Sequence, residues 1–442
     1  MDTILSVVMA IFIIALSAWH IFGRKPKKED GLSVRQKPEN GQNEARSQKK
    51  KTSGGKPKKL GGHTKKKKKE PIPTHKNFSH AIKGHSQPII SFSISPNKKW
   101  IATSSTDQSV RITELEDTVN SSAKRVPLFF RINMNGDTIT SLSWAADSLT
   151  LVGSSESSRE VYFFRMRNKK DSNSTSGGFK YEMIELKKRR FNTNHGGVIQ
   201  SCVIDTAYSC PIIVTGCDTK ADDHFYVWDS KSKQRIGQVP NKSCSRGGAV
   251  LSQDGHFIAN ASTNTSEVKI FEVVRKREKG HAEPIFQHVS NKHVMVLASG
   301  AHKSSISDVC FGGHDAQVAH GISDRVVTCG SDGFLVLWDI DVRFDLKADP
   351  EILAKVNVGS PLKRCAISMN GSKIICVDAS DNVHLYKCEA TSKSTRALKK
   401  LMVVENNGAI SGNIRQIEFC DYDGLKMVVL NENSKHAFVW HC

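Results

Sequence analysis

The chain has 442 residues, 64 Lys/Arg and 44 Asp/Glu, for a formal net charge of +20. Between Arg24 and Lys76 lie 19 Lys/Arg against 5 Asp/Glu, a net +14, so +6 remains for everything else and a uniformly basic domain is excluded. The 11 cysteines are odd in number and include no C-x-x-C pair, which supports neither a zinc ribbon nor a redox dithiol.

After a short N-terminus at residues 1–3, which the topology below places in the lumen, comes Ile4–Phe22, a run of 19 residues without a charge. As a helix it would reach about 28 Å at 1.5 Å per residue, close to the roughly 30 Å of a bilayer core. Trp19 sits where an interfacial aromatic belongs. A cleaved signal peptide is the rival reading, and Ala15-Leu16-Ser17 offers small residues at cleavage spacing. Against it, Met1–Thr3 holds no basic residue, whereas Arg24, Lys25, Lys27 and Lys28 follow the apolar run. That charge bias predicts one uncleaved transmembrane signal-anchor helix over residues 4–22, with the downstream chain in the cytosol.

Residues 23–76 predict a disordered, lysine-rich linker. The segment has no aromatic residue and includes the run Lys65, Lys66, Lys67, Lys68 and Lys69. Such a composition buries too little apolar surface to fold, and a flexible chain of this length spans roughly 40 Å. A solvated spacer is one reading, and the bare composition of a nuclear-localisation signal is at odds with a membrane anchor next door. The electrostatic reading gives each lysine about 1 kcal/mol against anionic lipid headgroups. RNA phosphates attract the same charges, although without aromatics such contact is sequence-unspecific.

From residue 77 to 442 the chain repeats a three-strand unit. Its clearest copy is Val326–Asp339, VVTCGSDGFLVLWD, an apolar strand, a Ser-Asp-Gly turn and a second strand ending in Trp-Asp. In chain order the copies are Ile90–Ser95, Trp100–Ser104 and Asp107–Thr113; then Ser141–Trp144, Leu149–Ser154 and Val161–Phe164; then Gln200–Ile204, Ile212–Gly216 and His224–Asp229. Gly248–Leu251, Phe257–Ala261 and Val268–Phe271 make the fourth. Ser307–Phe311, Val326–Gly330 and Phe334–Asp339 make the fifth, and Arg364–Ser368, Lys373–Val377 and Asn382–Tyr386 the sixth. Gln416–Phe419, Met427–Leu430 and Ala437–Trp440 close the series. The spacing predicts an all-β, seven-bladed β-propeller over residues 77–442, with Lys76–Ile82 supplying the outer strand of the last blade. A β-sandwich is the competing architecture.

The Trp-Asp dipeptides at Trp228-Asp229 and Trp338-Asp339, with Gly84-His85 ahead of the first copy, resemble the WD-repeat family. In that family a His, a Ser or Thr, an Asp and a Trp hydrogen-bond in series within a blade. The resemblance implies such structural tetrads at His302, Thr328, Asp332 and Trp338 and at His195, Thr215, Asp222 and Trp228. It implies an incomplete one at His85, Thr103 and Asp107, where Thr113 stands in the tryptophan position. A closer resemblance to one member, carried by His75–Ser86 and Asp339–Pro350, implies the endoplasmic reticulum membrane with the propeller facing the cytosol. It also implies association with the stress kinase PERK and support of translation in the unfolded-protein response.

No G-x-x-x-x-G-K-[ST], G-x-S-x-G or H-E-x-x-H motif occurs, so no catalytic, cofactor or metal residue is assigned and a non-enzymatic scaffold is expected. Cys202, Cys310, Cys329, Cys365, Cys376 and Cys420 fall in or beside predicted strands, where thiols act as small buried hydrophobes and suit a reducing compartment. Seven Asn-x-Ser/Thr sequons point the other way and make glycosylation a test of sidedness. Two long loops stand out, Met166–Asn194 and Ile340–Ser360. The first holds Lys187, Lys188, Arg189 and Arg190, either an ordinary solvated insertion or a basic face for nucleic acid or an acidic partner. The alternative function is therefore an RNA- or ribosome-binding module; a propeller hydrolase is a third.

Overall fold

The computed structural model describes residues 72–115, 129–168, 181–207, 211–217, 222–240, 244–262, 266–276, 285–290, 292–297, 300–312, 325–340, 349–390, 396–406 and 412–442. The predicted anchor Ile4–Phe22 and nearly all of the linker, including Lys65 to Lys69, lie outside them. No helix among the described residues is long and apolar enough to cross a membrane.

The strands form seven antiparallel sheets. β1 (Phe78–Ile82) precedes blade 1, which is β2 (Ile89–Ile94), β3 (Trp100–Ser105), β4 (Ser109–Glu114) and β5 (Phe129–Asn133). Blade 2 holds β6 (Ile139–Trp144), β7 (Thr150–Ser155) and β8 (Glu160–Asn168), with β9 (Tyr181–Glu185) and β10 (Phe191–Asn192) both on the outer side of β8. Blade 3 is β11 (Ile199–Ile204), β12 (Ile212–Cys217), β13 (His224–Asp229) and β14 (Arg235–Pro240). Blade 4 is β15 (Cys244–Leu251), β16 (Phe257–Ser262) and β17 (Val268–Lys276), flanked by β18 (Ile285–Val289) and β19 (Met295–Leu297). Blade 5 is β20 (Ile306–Gly312), β21 (Arg325–Gly330), β22 (Phe334–Asp339) and β23 (Glu351–Asn357). Blade 6 is β24 (Leu362–Ile367), β25 (Lys373–Asp378), β26 (Val383–Ala390) and β27 (Arg396–Val404). Blade 7 is β28 (Ile414–Phe419), β29 (Lys426–Asn431) and β30 (Ala437–His441), completed by β1.

All 21 predicted inner strands are present to within a few residues, and the β-sandwich is excluded. The two long loops are shorter than the sequence suggests. The span Met166–Asn194 contains β9, β10 and one 3-10 turn at Lys187–Arg189, and Ile340–Ser360 contains β23. β9 and β10 are short and only partly buried, and β23 exposes Glu351, Lys355 and Asn357, so none of the three shows a hydrophobic run.

Each second strand is covered on both faces, which explains why β3, β7 and β12 read as continuous buried runs instead of alternating ones. The apolar residues gather into seven clusters, one between each pair of adjacent blades. Trp144 and Trp100 meet between blades 1 and 2, and Trp338 and Val268 between blades 4 and 5. At the closing seam Ile89 and Phe92 of blade 1 pack with Val428 and Val439 of blade 7. No blade buries its faces alone, so the ring must close for its core to exist.

Closure is made by β1 against β30, with Phe78 opposite Trp440 and Ile82 opposite Ala437. The Phe78 ring stands edge-on to Trp440 at 5.5 Å between centroids. Polar side chains of the inner strands add blade-to-blade latches. Ser141 Oγ accepts from Cys202 N–H (3.1 Å), Asp308 Oδ2 accepts from Cys365 N–H (3.1 Å), and Arg364 Nε donates to Arg415 O (3.0 Å). Gln416 bridges the seam twice, accepting from Phe92 N–H (3.2 Å) and donating to Phe92 O (2.9 Å). Gln416→Leu removes both bonds and leaves two backbone groups of Phe92 without that partner. We expect a loss of about 1–3 kcal/mol, read as a lower urea midpoint at unchanged slope.

Candidate functional site: blade networks and the channel mouth

In blade 5 the Ser-Asp-Gly turn needs Gly333 at φ +79°, and it folds Asp332 back toward the segment ahead of β20. His302 Nδ1 then lies 3.2 Å from Asp332 Oδ1 and its Nε2 2.8 Å from Thr328 Oγ1. Trp338 Nε1 donates to the same hydroxyl at 2.9 Å. With Thr328 accepting from the indole, its own proton points to His302 Nε2, and the imidazole Nδ1–H donates to the carboxylate. Blade 3 repeats the series. His195 Nδ1 to Asp222 Oδ2 is 2.6 Å, Nε2 to Thr215 Oγ1 2.9 Å, and Trp228 Nε1 to Thr215 Oγ1 2.8 Å. In blade 1, His85 meets Asp107 at 3.0 Å and Thr103 at 2.9 Å. Thr113 cannot supply the indole donor.

The structure thus brings together every residue of the three networks named from the sequence. It also shows a further buried histidine–carboxylate pair that the sequence analysis missed: in blade 6 His384 Nε2 lies 3.0 Å from Asp378 Oδ2. Here β25 and β26 supply both partners six residues apart, instead of the histidine arriving from the preceding blade. The only sequence signal is an Asp at the end of one strand followed by a His in the next. In blade 7 Val429 takes the threonine position, and the buried Trp440 N–H has no hydrogen-bond partner among the described residues.

Burial lowers the pKa of His85, His195 and His302, outweighing the upward pull of their carboxylates. Burial also pushes Asp107 upward, but hydrogen bonds from Ser109, the Ser86 N–H and His85 prevail and hold it at about 2. All four folded-state values are therefore depressed. The stability they provide is complete above the unfolded values, about 6.5 for histidine and 3.9 for aspartate, and is lost as pH falls through the folded ones. Asp308 and Glu418, raised by burial, act in the opposite sense: their contribution is present at low pH and lost as pH rises through their folded values. With three histidines on the losing side, the urea midpoint should fall between about pH 7 and pH 5. A flat profile would mean that the imidazoles are not held neutral.

The inner strands line an axial channel of about 440 Å³, in which Lys98 and Glu418 face each other's field and Asp308 that of Arg364. One end opens into a wider mouth of about 920 Å³. Blades 6 and 7 bring Lys363, Arg364 and Arg415 to this mouth, blade 2 brings Glu156, and blade 3 the exposed Val198. Lys363 Nζ is tied to Asp381 Oδ1 at 3.1 Å. The mouth therefore gathers Lys363, Arg364 and Arg415 from blades 6 and 7, with Glu432 on the same blade as Arg415 and Glu156 on blade 2, among polar and apolar residues alike.

The basic tetrapeptide of blade 2 divides. Arg190 is anchored by Glu160 (3.1 Å) and by the Tyr162 hydroxyl (3.2 Å), whereas Lys187, Lys188 and Arg189 are exposed on the 3-10 turn. Lys233, from the β13–β14 turn of blade 3, donates to Lys188 O at 2.5 Å. That contact joins the tetrapeptide to Lys231 and Arg235, a grouping invisible along the sequence. Arg235 lies over the Tyr226 ring (4.8 Å) and Arg190 over Tyr162 (5.1 Å), so the rings nearest the patch already carry a cation.

Compared with known proteins, residues 76–113 match the WD domain, G-beta repeat family. The chain is 24% identical over 356 residues to transducin beta-like protein 2 of Homo sapiens, covering 78% of this chain and 71% of that protein. It is 23% identical over 324 residues to transducin beta-like protein 2 of Mus musculus, covering 72% of this chain and 65% of that one. This chain resembles the WD-repeat family. The matched WD repeat comprises the closing strand β1 and the inner three strands of blade 1, the blade whose network lacks its tryptophan. Blades 3 and 5 carry the full His–Thr–Asp–Trp geometry that the resemblance implies. In a WD-repeat propeller these networks hold strands together, which leaves the loops and the channel mouth as the surfaces open to partners.

Proposed function

We propose that this chain is a non-enzymatic, membrane-anchored scaffold whose propeller works at the cytosolic face of the endoplasmic reticulum. In this reading it binds the stress kinase PERK and supports translation during the unfolded-protein response. The observation that carries the reading is the mouth, a concave surface that mixes charges of both signs with polar and apolar residues, suited to a polypeptide segment. Similarity to transducin beta-like protein 2 supports it, as do the apolar run and trailing basic residues of the N-terminus. A tether raises the local concentration of membrane-bound partners, so weak contacts at the mouth become effective. The lysine-rich linker then lies along anionic headgroups.

Three sequons also fit a cytosolic propeller. Asn260 is buried and its Nδ2 donates to Pro240 O at 2.8 Å. Asn77 donates to His441 O at 3.2 Å and Asn370 to Asp423 Oδ1 at 3.0 Å. A glycan on any of them would displace these bonds.

In a kinase pull-down, capture should survive deletion of residues 24–76 and fall at least about tenfold with Arg415→Glu, a loss of about 1.4 kcal/mol or more. Capture that depends on the linker and ignores Arg415 contradicts the reading. A second reading, RNA or ribosome binding, is favoured by the Lys233–Lys188 contact and the joined basic patch. Reversing Lys187, Lys188 and Lys231 should then flatten the salt dependence of RNA binding by roughly one unit of log–log slope per lost phosphate contact.

A further inference from the structure

We infer that blade 3 carries a zinc(II) site formed by His195 Nδ1, Cys217 Sγ and the Asp222 carboxylate. Three copies of one network in the same chain isolate the feature. In blade 5 the position two residues past the network threonine is Gly330, where a Cβ would lie 2.7 Å from both His302 Nδ1 and Asp332 Oδ1. A side chain placed there points at the histidine–carboxylate contact. Blade 1 has Ser105, whose hydroxyl donates to Gln87 O at 3.0 Å and accepts from Asp107 N–H at 3.1 Å. Blade 3 has Cys217, with Sγ 3.0 Å from Asp222 Oδ2. The three ligand atoms of His195, Cys217 and Asp222 all lie within 4.8 Å of one another.

The network itself has no need of the thiol, because blade 5 builds the same bonds around a glycine. Nitrogen, sulfur and oxygen donors are the set zinc takes, with a fourth position left for water. Thr215 Oγ1 fixes the imidazole through Nε2 at 2.9 Å, the outer-sphere bond that orients a metal-binding histidine. Zinc bonds of about 2.0–2.3 Å set tetrahedral ligand atoms roughly 3.3–3.8 Å apart. The carboxylate would draw back by under about 1 Å from its contacts of 2.6 Å with His195 Nδ1 and 3.0 Å with Cys217 Sγ. Its side chain is 14% exposed while that of His195 is fully buried, so the ion enters past Asp222. The thiol proton leaves to solvent and the imidazole proton moves to Nε2, where it donates to Thr215. Thiolate and carboxylate then neutralise the ion.

The site stands apart from the scaffold reading and is tested separately. The chelator-stripped full chain is titrated with cobalt(II), then with zinc(II). One equivalent of cobalt should produce a thiolate-to-cobalt charge-transfer band that zinc abolishes. Cys217→Ala, which reproduces the small residue of blade 5, should lose the band and bind zinc at least about 100-fold more weakly at an unchanged circular dichroism spectrum. If that variant unfolds, Cys217→Ser is read in its place. Absence of the band, or a band and affinity that persist in the variant, overturns the assignment.

Discussion

Thr328→Val should destabilise the propeller by about 2–4 kcal/mol, and Thr103→Val by about half as much. The substitution is nearly isosteric, so packing is kept and only the hydroxyl is lost. In blade 5 that hydroxyl serves two buried partners, His302 Nε2 and Trp338 Nε1, at 2.8 and 2.9 Å. Trp338 is 1% exposed and His302 4%, so no water replaces the bond. In blade 1 the equivalent hydroxyl serves His85 and, through a longer 3.4 Å bond, Arg111 O, but no indole, because Thr113 stands where the tryptophan would be. Thr215→Val should track Thr328→Val, since blade 3 has both donors. Urea unfolding of the three variants checks the order; equal losses would show that the tryptophan bond carries no weight.

Asp205→Ala or Arg275→Ala alone should cost about 3–5 kcal/mol, the usual penalty for stranding one member of a buried ion pair. Asp205 is fully buried and the Arg275 side chain is 2% exposed where the two meet across the interface of blades 3 and 4. The carboxylate also accepts from Ala207 N–H at 2.7 Å. Charges so enclosed gain little from salt screening, so the loss should persist at high ionic strength. The double variant Asp205→Leu/Arg275→Met removes both charges and should recover most of the loss, giving a large favourable coupling in a double-mutant cycle. Losses that simply add would mean the pair does not act as a unit.

The inner strands could be read from the sequence because they are enclosed on both faces and therefore continuously apolar, as in Val326–Gly330. Outer strands such as β14 and β27 show mixed exposure, Lys399, Lys400 and Leu401 all facing solvent, and they merge with loop composition. The closing strand β1 was the exception, since a ring of seven inner triplets required one more partner. His302 and His195 could be placed because the resemblance puts a histidine ahead of the first strand of a blade that ends in Trp-Asp. His384 could not, because its carboxylate comes from the adjoining strand and follows no such spacing. The blade-to-blade latches of Gln416 and Asp308 were equally hidden, since a polar residue on an inner strand looks the same whether it faces the channel or the next blade. Cys217 was readable only as a strand-end thiol, for nothing in one dimension sets it beside residues 195 and 222.

Protease treatment of intact microsomes bearing the full chain, with glycosidase digestion in parallel, tests the proposed sidedness most directly. The account predicts a propeller that is degraded without detergent and whose mobility is unchanged by the glycosidase. A protected propeller, or one that shifts when its sugars are removed, would place the blades in the lumen and contradict it.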